Sequence, residues 1–133
     1  MKANYHTHTA RCGHAEGTDE QYVLAAIGAG YDTLGFSDHV PYPYKSGFTS
    51  PTVRMTVDKL PEYVDSVARL KEKYEGQIRI LTGFECEYFP EYMNWMADMK
   101  EERGLDYLIL GNHYELTDET GMYYGHCKTG AQL

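Results

Sequence analysis

An α/β fold of parallel βα units is what this sequence predicts, and three observations carry that reading. Compact apolar runs recur at 33–37, 78–85 and 106–110, with a shorter β-like run at 3–8 ahead of them. The segments between them place apolar residues at helical spacing, and each carries its own start and stop residues. Such alternation predicts a parallel sheet with right-handed crossovers.

Residues 3–8 form the first strand, and Arg11 to Gly17 is a glycine-punctuated loop. Thr18 with Gln21 three residues on makes a capping box, and Tyr22, Val23, Ala26 and Ile27 follow at helical period until Gly28 and Gly30 end the helix. The second strand, from Thr33, ends at Asp38 and His39, and a tyrosine- and proline-rich stretch from Val40 to Met55 leads away from it. Loops of that length are usually functional or mobile.

A second helix is expected from about Lys59 to Tyr74. Asp58 is a plausible cap, Pro61 stands in the first turn, Leu60, Val64, Val67 and Leu70 line one face, and Gly76 is the stop. Ile78, Ile80 and Leu81 open a third strand ending near Glu85. Pro90 starts a third helix with Tyr92, Met93, Met96 and Met99 on overlapping faces, and Gly104 closes it. The fourth strand, Asp106 to Leu110, is almost wholly apolar, as expected of a parallel strand covered on both sides. Beyond Glu115 the chain reads as turns, with a short hairpin about Glu119 to Gly121.

With 133 residues and 42% hydrophobic content, residues 1–133 are expected to form one domain. Twenty acidic against 12 basic residues, a formal charge of -8, weigh against a duplex nucleic-acid partner, which needs a basic surface. No run approaches the ~20 apolar residues that span a bilayer, and the first ten residues lack a signal-peptide core, so a cytoplasmic protein without a membrane partner is expected. Cys12, Cys86 and Cys127 are an odd number without a CxxC pair, which predicts free thiols. Most of the 13 tyrosines are expected to cover the core.

The chemistry is positional. His6 and His8, Asp38 and His39, Glu85, and His113 all fall at the C-terminal ends of successive predicted strands, the rim on which parallel α/β folds build their sites. Residues two apart on a strand share a face, so His6 and His8 can offer two imidazoles to one ion. Glu85 ends an apolar strand, where a buried carboxylate needs a compensating cation or donor. Glu87 suits the ordinary role of a loop carboxylate. His14 can fold back over the same rim, Asp38 can orient a liganding imidazole from behind it, and His126 beside Cys127 is the weaker candidate. Nitrogen and oxygen donors without converging thiolates suit Zn, Mn or Fe.

The segments HTHTARCGH (6–14), SDHVPYP (37–43), LTGFECEY (81–88) and GNHYE (111–115) together resemble the PHP (polymerase and histidinol phosphatase) superfamily, and more closely its histidinol-phosphatase branch. The resemblance implies a (β/α)7 barrel-like fold and up to three divalent metal ions. It implies that His6, His8 and Glu85 hold a first ion, that Glu85 bridges to a second shared with His113, and that His14 and His39 hold a third. Glu85, His113 and Asp38 are then the expected catalytic group, and L-histidinol phosphate, or a similar small phosphate ester, is the implied substrate, with a place in histidine biosynthesis.

Later family motifs, a further histidine and an Asp-x-His pair among them, have no counterpart here, so the chain reads as the N-terminal portion of such a domain with its barrel incomplete. Four parallel strands cannot close on themselves. A homo-oligomer, or a complementing C-terminal half, is therefore expected to cover the edges. The competing readings are a non-catalytic metal-binding module and another PHP-type hydrolase.

Overall fold

The computed structural model describes residues 1–50, 52–111, 113–116 and 123–124, with the backbone alone for 114–116 and 123–124. Strands β1 (Ala3–Asn4), β2 (Thr33–His39), β3 (Arg79–Cys86) and β4 (Tyr107–Leu110) form one parallel sheet in that order. Helices α1 (Asp19–Gly28), α2 (Leu60–Lys73) and α3 (Met93–Glu102) make the connections, as the alternation of the sequence requires.

Local chemistry sets the ends of these elements. Thr18 Oγ1 accepts from Gln21 N and Gln21 Oε1 from Thr18 N, so the capping box opens α1. Asp58 does not cap α2, because it lies within a 3-10 turn at Val57–Lys59 that feeds the helix, and no side chain caps that start. The buried face of α2 is Leu60, Tyr63, Val67 and Leu70; Tyr63 rather than Val64 goes deepest. Its ring reaches β3, stacking 4.9 Å from Phe84, and its hydroxyl donates to Gly83 O at 2.9 Å. That bond removes the cost of burying a phenol.

The tyrosine-rich stretch after β2 is part of the core. Tyr42 and Tyr44 are buried against Phe89 and Tyr92, and the Tyr42 hydroxyl donates to Glu87 O at 2.9 Å while accepting from Glu87 N at 3.0 Å.

Two expectations are corrected. The first strand is two residues long and not six, since the chain at 5–9 follows β2 through side chains as well as backbone. Ser37 N donates to Thr7 O, Thr7 N to Ser37 Oγ, and Thr9 N to Asp38 Oδ1. Second, β4 is not covered on both sides: it is the outermost strand of the sheet among the described residues, half-buried over Tyr107 to Ile109 and 74% exposed at Leu110. The paired arms of the hairpin expected beyond Glu115 are present, β5 (Tyr114–Leu116) running antiparallel to β6 (Tyr123–Tyr124). The expected turn at Glu119 to Gly121 lies outside the described residues.

Candidate metal centre

Register brings the first two functional groups together. His39 and Glu85 are partners across β2 and β3, and Glu85 is in turn partnered by Ile109 of β4, so the carboxylate leaves the rim in the middle of the sheet. Glu85 Oε2 lies 3.0 Å from His6 Nε2, 3.3 Å from His8 Nε2 and 3.3 Å from His39 Nδ1, while Oε1 is 3.6 Å from His113 Nε2. The His14 ring stands 5.1 Å from that of His8 and 5.2 Å from that of His39, folded back over the rim. All six expected metal-ligating residues therefore converge.

Backbone geometry clears the space for Glu85. A methyl group at Gly111 would come within 2.5 Å of Glu85 Oε1 and 2.8 Å of its Cγ, so the carboxylate occupies the room that a side chain there would take. Asp38, fully buried, accepts from both the backbone N and the hydroxyl of Thr9, and its Oδ1 faces His8 Nδ1 at 3.6 Å. It thus stands behind His8, fixing the ring from the side away from Glu85.

Charge is distributed unevenly over the cluster. Burial opposes ionisation of Glu85, yet hydrogen bonds from His8 and His6 and the nearby His39 and His113 bring its carboxyl down to about 2. Burial likewise disfavours charge on His8, but Asp38, Cys12 and Glu85 overrule it and lift the imidazole to about 11. His39 goes the other way, to about 3, through burial and then the charge of His8. The His8 ring thus stands between the carboxylates of Glu85, 3.3 Å from its Nε2, and Asp38, 3.6 Å from its Nδ1.

Among the described residues, three buried ring nitrogens, Nδ1 of His8, His39 and His113, make no hydrogen bond, and each faces a carboxylate oxygen at 3.3–3.6 Å, from Asp38, Glu85 and Glu87 in turn. The nitrogens that face Glu85, Nε2 of His6, His8 and His113 with Nδ1 of His39, make with its buried carboxylate a donor set that fits divalent cations. Ligand atoms lie within 4.8 Å of one another in three groups: His6, His8 and Glu85; His39, Glu85 and His113; and His8, Cys12 and His14. The first is the grouping that the family resemblance implies. In the others, His39 falls with Glu85 and His113, and His14 with Cys12.

Three features escaped the sequence reading. Cys12 brings a thiol to a cluster from which sulfur was expected to be absent, its Sγ 3.7 Å from His14 Nε2. The spacing CxH was its only signal. Glu87 is no loop carboxylate: it is buried, and Arg54, also buried, holds it with Nη2 at 2.8 Å and Nη1 at 3.3 Å. Its Oε1 is 3.4 Å from His113 Nδ1, so Glu87 backs His113 much as Asp38 backs His8. His126 and Cys127 lie outside the described residues.

A cavity of about 460 Å³ opens beside the cluster, lined by His6, His8 and His14 with Tyr22, Tyr31 and Leu34. A larger cleft of about 830 Å³ runs between α1 and α2, where Arg11 bridges Asp19 and Glu62, and it contains none of the six histidine and glutamate donors.

The PHP-domain family model matches residues 4–132, nearly the whole chain. The chain belongs to the PHP family. This PHP chain is 32% identical over 127 residues to the histidinol-phosphatase of Bacillus subtilis, a match covering 90% of the chain and 47% of that protein. It superposes on a Listeria monocytogenes protein assigned to the histidinol phosphatases with a TM-score of 0.75 and 26% identity, covering 92% of this chain and 48% of that one. A Lactococcus lactis histidinol phosphate phosphatase, solved with zinc, L-histidinol and phosphate, gives a TM-score of 0.68 at 21% identity and shares the fold, over 84% of this chain and 40% of that one. The chain thus spans about two-fifths to one-half of the length of the relatives it matches. Its four parallel strands are part of a PHP-type βα barrel.

Proposed function

We propose that this PHP domain binds divalent metal ions at its rim and serves the hydrolysis of a small phosphate monoester, with L-histidinol phosphate as the substrate. The observation that carries the proposal is the convergence of His6, His8, His39 and His113 on the two oxygens of Glu85. Zn, Mn and Fe all suit that donor set, and the name of the Bacillus subtilis relative supplies the substrate.

In this reading His6, His8, His14, His39, Glu85 and His113 hold the ions, with Glu85 shared between two of them. Bound ions supply Lewis acidity toward phosphate oxygens and a lowered pKa for water. The chain's own residues prepare the site. Asp38 orients His8, Glu87 backed by Arg54 faces the far nitrogen of His113, and Gly111 leaves the space in which Glu85 lies. The formal charge of -8 over the chain also favours a cation before any phosphate arrives.

The test is metal analysis followed by assay. After loading with Zn or Mn, the expected result is more than one ion per chain and release of phosphate from L-histidinol phosphate. Ions bound without turnover would instead favour a non-catalytic metal-binding module. The exposed edge at Leu110 of β4 further suggests that a second copy, or a complementing half, covers the sheet. A monomer that stays folded in sedimentation at high concentration would count against that cover.

A further inference from the structure

Cys12 is fully buried in a short 3-10 turn, Ala10–Cys12, that the Thr9 hydroxyl caps by accepting from Arg11 N. The turn returns the chain toward the rim after His8, and Gly13, at φ 80°, closes it in a conformation that a side chain would strain. Its effect is to present Cys12 and His14 on the same side, facing His8. The thiol donates to Thr9 O at 2.9 Å, and the turn's own N–H, from Cys12, also reaches that carbonyl at 3.2 Å. The carbonyl therefore keeps a donor when the thiol is withdrawn.

We infer that Cys12 is a sulfur ligand, which with His14 forms a mixed nitrogen–sulfur subsite and biases the ion there toward thiophilic metals. The inference rests on the metal-centre reading above and deepens it. Distance is the first support. With Zn–S at about 2.3 Å and Zn–N at about 2.05 Å, two ligands at a tetrahedral angle stand about 3.6 Å apart. Cys12 Sγ and His14 Nε2 are 3.7 Å apart without any ion to hold them.

Ligand count is the second support. His8 belongs to two of the three donor groups, yet a neutral imidazole ligates through one nitrogen. Where His8 serves the ion held with His6 and Glu85, the His14 side is short of a donor, and the thiolate supplies it. A third observation points the same way. The His39 side chain is only 4% exposed, and its ring lies 5.2 Å from that of His14 while its Nδ1 faces Glu85 Oε2 at 3.3 Å. A second buried imidazole thus borders the His14 side, where His8, Cys12 and His14 would bind an ion through soft and borderline donors together. Thiolate favours Zn over Mn, whereas carboxylate and imidazole sites discriminate less.

Cobalt(II) titration of the full chain tests this with a readout independent of turnover. The expected result is a near-ultraviolet sulfur-to-cobalt charge-transfer band together with visible ligand-field bands. In Cys12→Ser the charge-transfer band disappears while the ligand-field bands remain; in Cys86→Ser and Cys127→Ser both persist. Zinc affinity of Cys12→Ser should fall about tenfold or more, and manganese affinity by less than about threefold. X-ray absorption of the zinc-loaded native chain, which needs no variant, should show a sulfur neighbour at about 2.3 Å. Cobalt bound with ligand-field bands but no charge-transfer band, or zinc without sulfur, overturns the sulfur ligand and leaves the metal centre standing. Failure to bind cobalt or zinc at all overturns both.

Discussion

Glu85 and His39 are register partners on adjacent parallel strands, and at the ends of those strands the Glu85 carboxylate comes within 3.3 Å of the His39 ring. Sheet geometry alone accounts for this pair, because partnered residues in a parallel ladder send their side chains to the same face. His6, His8 and His113 reach the same carboxylate from loops, so replacing Glu85 removes the point that these four imidazoles share.

Glu85→Gln is therefore expected to lose metal by at least one ion per chain while the fold persists. Glu87→Gln should keep more metal yet lose stability, by about 3–5 kcal/mol, because it leaves the buried Arg54 without its full counter-charge. Elemental analysis and denaturant titration of the two variants separate these effects. Equal metal content in both would show that Glu85 is not the shared ligand.

The pH dependence has two opposite signs. The His8 imidazole is raised to about 11 in the metal-free fold from its ordinary 6.5, so its contribution to stability is complete below pH 6.5 and is lost as pH rises toward 11. A metal must displace that proton to use His8, so affinity should increase with pH over the same window. Thermal melts of the metal-free chain from pH 6 to 9, paired with zinc titrations, should therefore trend in opposite directions. Metal affinity that is flat across that range would remove His8 from the ligands.

Gly111→Ala tests the space beside Glu85. The added methyl would meet the carboxylate at 2.5–2.9 Å, so the side chain must move away from the histidines. Overpacking of this kind costs about 1–3 kcal/mol. Metal affinity is expected to fall by more than stability does, and calorimetric titration beside a denaturation curve gives both numbers.

Tyr63→Phe addresses the core. Its hydroxyl bond to Gly83 O is buried, so the variant leaves that carbonyl without the tyrosine donor at a cost of about 1–2 kcal/mol, read as a lower denaturation midpoint with unchanged slope.

What the sequence made legible follows from what periodicity encodes. Apolar runs and capping residues located β2, β3 and all three helices to within a few residues, and strand ends located His39 and Glu85, because those signals are local. The first strand was overextended because the partners of Thr7 and Thr9 are the side chains of Ser37 and Asp38, about thirty positions away. Tyr63 and Val64 both fit the helical period, and only the acceptor on β3 distinguishes them. Glu87 reads as a loop carboxylate for the same reason: nothing local to it announces Arg54, 33 positions away, as its partner. Cys12 is illegible in the same way, because a thiolate site announces itself as a pair of cysteines and not as one cysteine two residues before a histidine.

Tyr107 gives the rim its dimensions. Its ring, on the outermost strand, crosses Gly83 and Gly35, where a methyl group on either would collide with it, and its hydroxyl donates to Tyr5 O at 2.7 Å. One rigid phenol thus works as a spacer bar between the segment that carries His6 and His8 and the strand that leads to His113. The spacing of the histidine and glutamate cluster is set in part by an aromatic side chain whose own hydrogen bonds go to the backbone of Tyr5 and Phe36.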